Sequence, residues 1–223
     1  MNRRTEWSRT IPASALADLD RGAKAFGLTL NEQQLAQFEI YLDVLLLWRR
    51  RLSLTGAATA GVLVRQHILD SLPAARFVCD HCCVIDLGSG AGFPGVPLAI
   101  ACPYASVTLV ESRRKRASFL HEVIRCARLD NVGILENRAE LIAKERPTAY
   151  DVVISRAVWE TATFVRVGES LLKPGGAAIA VKGRKTVTYC TFPGFSAPEV
   201  LRYTLPDGIE HALVVYRRLK REA

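Results

Sequence analysis

The chain has 223 residues, a mass of 24.6 kDa, a formal net charge of +8 and 49% hydrophobic residues. That length suits one domain with an appendage and buries about 70% of the unfolded surface, so a core needs no metal or disulfide staple. No apolar stretch approaches the ~18 residues of a membrane span and Met1–Pro12 is polar, so a cytoplasmic protein without a membrane partner is expected.

Residues 12–26 and 31–51 read as helices. In the second, Leu35, Phe38, Leu42 and Leu45 recur at helical spacing, and Asn31 with Gln34 gives a capped start. A third helix is expected over 59–79, interrupted near Pro73. Residues 1–80 are thus expected as a small helical extension packed on a core domain of residues 81–223. From 83 to 182, strands (near 83–86, 106–110, 132–135, 151–154 and 177–181) alternate with helices (near 94–102, 113–129, 139–145 and 161–172). This is the pattern of a parallel sheet built by right-handed crossovers. Glu199–Leu205 and His211–Arg218 flank the turn Pro206-Asp207-Gly208 and read as a hairpin at the sheet edge.

Six cysteines stand at 79, 82, 83, 102, 126 and 190. Cys79 and Cys82 form a C-x-x-C, but no second ligand pair follows, so no metal site is expected. Cys82 and Cys83 are expected to pack as unpaired small apolar residues at the start of the first strand.

The segment Cys83 to Gly95 joins an apolar run, Asp86 and glycines at 88, 90, 92 and 95. Glycines admit positive φ and close backbone approach, and a helix start offers unpaired N–H groups to an anion. A nucleotide-like ligand is expected across this turn. Gly90, Gly92 and Gly95 satisfy the dinucleotide pattern G-x-G-x-x-G, so a nicotinamide oxidoreductase stays open on the motif alone. Yet Asp86 and Gly88 precede it, and Asp-Leu-Gly-Ser-Gly-Ala-Gly resembles the first motif of class I S-adenosylmethionine-dependent methyltransferases. Glu111 ends the second strand, where a carboxylate accepts the ribose hydroxyls of either cofactor. Lys173-Pro174-Gly175-Gly176 before the strand 177–181 resembles the approach to the fifth strand in class I methyltransferases, though by itself it is a generic helix stop. The three features in this order favour the methyltransferase.

The resemblance then narrows. Leu54-Thr55, His67 to Ser71, Ile85 to Gly95, Arg138-Ala139-Glu140, Ile154-Ser155-Arg156-Ala157 and Lys182-Gly183 occur in the order and spacing of the ribosomal small subunit methyltransferase G family. The family implies an α/β, class I methyltransferase (Rossmann-like) seven-stranded sheet with its last strand antiparallel. It implies methyl transfer from S-adenosylmethionine to N7 of a guanine in the 530 loop of 16S rRNA, guanine 527 in reference numbering. Asp86, Gly88, Gly90, Gly92, Phe93, Glu111, Ala139, Glu140 and Arg156 are then the expected cofactor residues, Asp86 holding either the turn or the amino group. Arg138, Arg156 and Lys182 are the expected catalytic cations around the guanine. His67 and Asp70, three apart on an expected helix, resemble a catalytic pair, but a packing histidine explains them equally well. The family tends to carry asparagine where Arg49 and Ser53 stand here, which puts the N-terminal contacts in question.

Basic clusters at 49–51, 113–116, 182–185 and 217–221 point to a polyanionic partner. The expected partner is small-subunit rRNA or the assembling small subunit, met by a monomer. A methyltransferase of another RNA or a small molecule is the alternative, followed by an RNA-binding module with a degenerate site.

Overall fold

The computed structural model describes residues 11–49, 52–57, 59–156, 160–183 and 190–220. Arg50, Arg51, Ala157, Arg184, Lys185 and Arg221, which belong to segments singled out above, lie outside the described residues.

The N-terminal part is helical, as its spacing predicts. α1 spans Ala13–Ala25 and α2 spans Glu32–Trp48. The Asn31 side chain accepts from Gln34 N at 2.8 Å while the Gln34 side chain accepts from Asn31 N at 2.9 Å, the reciprocal cap the sequence predicts. The expected helix over 59–79 is instead a chain of short turns. α3 (Ala60–Leu63) leads into a π-helical turn (Val64–Ile68), then α4 (Leu69–Ser71) and a 3₁₀ turn (Leu72–Phe77) holding Pro73. A proline removes one backbone donor and crowds the preceding turn, which favours the tighter winding.

Seven strands follow: β1 (Cys83–Leu87), β2 (Ser106–Val110), β3 (Val132–Leu135), β4 (Tyr150–Arg156), β5 (Leu172–Lys182), β6 (Glu199–Thr204) and β7 (Glu210–Arg217). They form one sheet in the order β3-β2-β1-β4-β5-β7-β6. The first five strands pair in parallel, and β7 enters antiparallel between β5 and β6. The crossovers are α5 (Gly95–Ala101), α6 (Arg114–Ala127), α7 (Ala139–Glu145) and α8 (Thr161–Leu171). Lys173 to Gly176 does not merely end α8. It already belongs to β5, and the ladder with β4 shifts register between Tyr150 and Val152 to absorb it.

Alternate residues of each parallel strand feed two cores. Val84, Val107, Leu109, Val152 and Ile154 pack with α2, α5 and α6, whereas Ile85, Val110 and Val153 pack with Ile142, Phe164 and Val165. The N-terminal part is integral to the first core. Phe38, Tyr41, Leu42 and Leu45 of α2 are fully buried in it.

One expectation is corrected here. Cys79 and Cys82 are joined by a disulfide, because the turn before β1 brings their Cα atoms to 5.3 Å. Cys83 remains an unpaired thiol beside it. No helix among the described residues is long and apolar enough to cross a membrane.

Candidate active site

The C-terminal ends of the parallel strands lie together, and at them the chain turns into Gly88, Glu111, Arg138 and Arg156 in successive crossovers. Open α/β sheets bind ligands in the crevice at these ends. A cavity of about 620 Å³ lies there, lined by Gly88, Val110, Glu111 and the starts of α6 and α7, including Arg113, Arg116, Arg138, Ala139 and Glu140. That volume accommodates a nucleoside-sized ligand.

The glycine turn is pinned from below. Gly88 N and Ser89 N both donate to Val110 O, at 2.9 and 3.0 Å, which ties the turn to the end of β2. Gly88 has φ +75°, a left-handed conformation that a branched side chain resists. Glu111 is 5% exposed, and its carboxylate accepts from Gly90 N at 3.0 Å and Arg113 N at 2.7 Å. Each oxygen thus meets one backbone donor, Arg116 Nη1 lies 4.0 Å from Oε2, and the carboxylate lines the cavity.

Asp86 faces the other way. Its side chain is buried, Oδ2 accepts from Gly95 N at 3.1 Å, and Oδ1 has no partner. Burial pushes its pKa up to about 7, against the opposing pull of the Gly95 hydrogen bond, while the Ser89 hydroxyl donates to the Asp86 backbone carbonyl at 3.1 Å. Of the two roles open to it from the sequence, this geometry supports holding the turn. Gly92 is likewise a packing position. A Cβ there would meet Val96 Cγ2 at 2.8 Å and the Tyr41 hydroxyl at 3.1 Å. Tyr41 in turn donates to Ala91 O at 2.6 Å, so α2 clamps the turn directly.

Beyond the turn lies a feature the sequence revealed only in fragments. Arg156 ends β4 with its guanidinium carbon 4.8 Å from the centroid of the Phe93 ring. Arg156 Nη1 donates to His67 Nδ1 at 3.1 Å and to Asp70 Oδ2 at 3.3 Å. Asp70 Oδ1 receives the Tyr203 hydroxyl at 2.7 Å and His211 Nδ1 at 2.7 Å. His67 Nε2 lies 3.0 Å from Thr55 Oγ1. Arginine only donates, so Nδ1 of His67 accepts and Nε2 carries the hydrogen. Burial, with the Arg156 charge beside it, lowers the His67 pKa to about 4. His67 and Asp70 therefore serve Arg156 rather than each other.

The three expected catalytic cations do not converge. Arg138 lines the cavity at the β3 end, and Lys182 ends β5, where burial lowers its pKa. Four strand spacings separate β3 from β5 in the sheet, about 19 Å. Of the departures noted above, Arg49 is occupied locally, donating to Ala57 O at 2.9 Å, and Ser53 is exposed.

The model of the family described as rRNA small subunit methyltransferase G matches residues 34–190, more than half of the chain. The chain belongs to this family. It is 44% identical over 163 residues to the ribosomal RNA small subunit methyltransferase G of Chloroflexus aggregans, covering 72% of this chain and 68% of that protein. The protein of the same name from Stenotrophomonas maltophilia is 42% identical over 174 residues, covering 78% and 79%. Among solved structures, a SAM dependent methyltransferase from Aquifex aeolicus superposes with a TM-score of 0.54 over 71% of this chain and 93% of that one, at 14% identity. This likeness supports the class I methyltransferase architecture.

Proposed function

We propose that the chain transfers a methyl group from S-adenosylmethionine to N7 of a guanine in the 530 loop of 16S rRNA, guanine 527 in reference numbering. The observation that carries the proposal is the cavity that joins Gly88, Glu111, Ala139 and Glu140 to a basic rim, in a chain of this family. These residues fit the cofactor. Gly88 leaves room for close approach, and Glu111 retains acceptor capacity for two ribose hydroxyls. Ala139 begins α7, where backbone N–H groups lack intrahelical partners, so it offers a donor to adenine with Glu140 beside it as acceptor.

Bound there, S-adenosylmethionine supplies an electrophilic methyl group. Guanine N7 carries a lone pair and no proton, so the chain needs no general base, only alignment of the nucleophile. Arg156 presents a planar fork suited to guanine O6. Arg113, Arg116 and Arg138 would draw the RNA backbone toward the same face. The reading takes the substrate to be rRNA or an assembling small subunit in the cytoplasm, acted on by a monomer.

The test maps 7-methylguanosine on 16S rRNA from cells with and without the gene, beside thermal shifts with S-adenosylhomocysteine and with NAD. Loss of the modification in the deletion strain, and stabilisation by S-adenosylhomocysteine alone, is the expected result. An unchanged modification would overturn the substrate, and stabilisation by NAD would overturn the chemistry.

A further inference from the structure

Arg156 is a long side chain at a strand end, and such a side chain rarely keeps one position by itself, since fixing its rotamers costs conformational entropy. Here it is fixed on three sides. The Phe93 ring lies under its guanidinium, His67 accepts from Nη1, and Asp70 places a carboxylate oxygen 3.3 Å from the same nitrogen. The side chain is 18% exposed, so one edge still reaches solvent.

Asp70 is the centre of this arrangement. Its carboxylate is 5% exposed and satisfied on both oxygens, by Arg156 on Oδ2 and by Tyr203 and His211 on Oδ1. Tyr203 Oη also lies 3.1 Å from the Asp70 carbonyl oxygen. Tyr203 is on β6 and His211 on β7, so the hairpin farthest along the sheet reaches back to a turn ahead of β1. A buried carboxylate with this many donors has fixed geometry, and a fixed carboxylate fixes the guanidinium it faces. His67 complements it, since a neutral imidazole can accept from arginine whereas an imidazolium would repel it.

We propose that Asp70 is a positioning residue for methyl transfer: braced by Tyr203 and His211, it locks Arg156 over Phe93 at the edge where the target base is presented. Asp70 touches neither cofactor nor base and acts only through Arg156. The inference rests on the methyltransferase reading above.

The experiment compares wild type, Asp70→Asn, Tyr203→Phe, Arg156→Ala and the double variant Asp70→Asn/Arg156→Ala in the full chain. Single-turnover methylation of small-subunit rRNA, calorimetric affinity for S-adenosylhomocysteine and ¹⁵N NMR of the Arg156 guanidinium are measured on each. Asp70→Asn is expected to slow methyl transfer at least tenfold while S-adenosylhomocysteine affinity stays within twofold. Tyr203→Phe leaves the Asp70 charge in place, so a smaller loss, about two- to fivefold, is expected, and it keeps the test available should Asp70→Asn fold poorly. The double variant should be no slower than Arg156→Ala alone, because the two residues act as a unit. The guanidinium should show hindered rotation in wild type and averaged signals in Asp70→Asn. Full methylation rate in folded Asp70→Asn, additive losses in the double variant, or an Arg156 signal unchanged by Asp70→Asn would each overturn the inference. A wild-type chain that methylates no rRNA would instead overturn the methyltransferase reading, leaving the NMR comparison to decide whether Asp70 holds Arg156.

Discussion

On the β2 side of the glycine turn, the groups that face the cavity come from short contiguous stretches: Gly88, Val110 to Arg113 and Asn137 to Glu140. Their geometry is mostly backbone, since Gly88 N and Ser89 N rest on Val110 O and Glu111 is held by Gly90 N and Arg113 N. On the β4 side, Arg156 is held by side chains from the turn ahead of β1 and, through Asp70, from the β6–β7 hairpin. The first region is therefore sensitive to the loss of a glycine or an acceptor. The second is sensitive to the charge and protonation of groups distant in sequence.

The largest expected effect probes the backbone-built side. Gly88→Val should weaken S-adenosylhomocysteine binding about 100-fold or more with the sheet retained, because valine resists the left-handed φ of +75° and its branch enters the ligand space. Calorimetric titration with circular dichroism checks it. A folded variant with wild-type affinity would show that the turn is not the binding element. Glu111→Ala should be milder, costing about 1–3 kcal/mol of cofactor affinity for a lost charged acceptor. A dissociation constant within twofold of wild type would move the ribose contact elsewhere.

The basic rim gives a third effect, separable from both. Neutralising Arg114 and Lys115, exposed at the start of α6, should flatten the log–log salt dependence of rRNA binding by about 1–2 units if both meet phosphate. Cofactor affinity should not follow. A wild-type slope near zero would mean that the positive charge is ordinary solvated surface.

In wild type the smallest effect lies in pH, where Asp86 and His67 act with opposite signs and offset each other. Asp86 keeps its proton up to about pH 7 in the folded chain, whereas its ordinary pKa is 3.8. Between those values the folded chain holds a proton the unfolded chain has lost, so this contribution to stability falls as pH rises. His67 refuses a proton down to about pH 4, against an ordinary 6.5. Between those values the unfolded chain binds the extra proton, so stability falls as pH drops. The windows are worth roughly 4 kcal/mol for Asp86 and roughly 3 kcal/mol for His67, and in wild type they largely cancel from pH 4 to 6.5. Thermal unfolding should show Asp86→Asn losing stability more steeply on acidification than wild type, and His67→Gln gaining it. Parallel pH curves for all three proteins would refute the assignment of these groups.

What the sequence made legible follows the same division. The Asn31–Gln34 cap, the parallel strands and the glycine turn with Glu111 are local patterns, and their spacing alone specifies them. The Arg156 cluster is not such a pattern. His67 and Asp70 are three apart and invite pairing with each other, whereas their partners come from Thr55, Arg156 and a hairpin more than 130 residues away. Pairing at that range leaves no periodicity. The packing of Gly92 against Tyr41 was not legible, because nothing in its own segment announces Tyr41. Pro174 to Gly176 looked like a stop because a strand that absorbs a register shift has the same composition as a loop.

The hairpin contacts of Asp70 also set an order in time. Synthesis runs from the N-terminus, so α2, the glycine turn, Glu111 and Glu140 all leave the ribosome before Tyr203 and His211. The residues that line the cavity are therefore all made while Arg156 still lacks the brace that β6 and β7 bring. The segment that completes the restraint on Arg156 is thus made after every residue that lines the cavity.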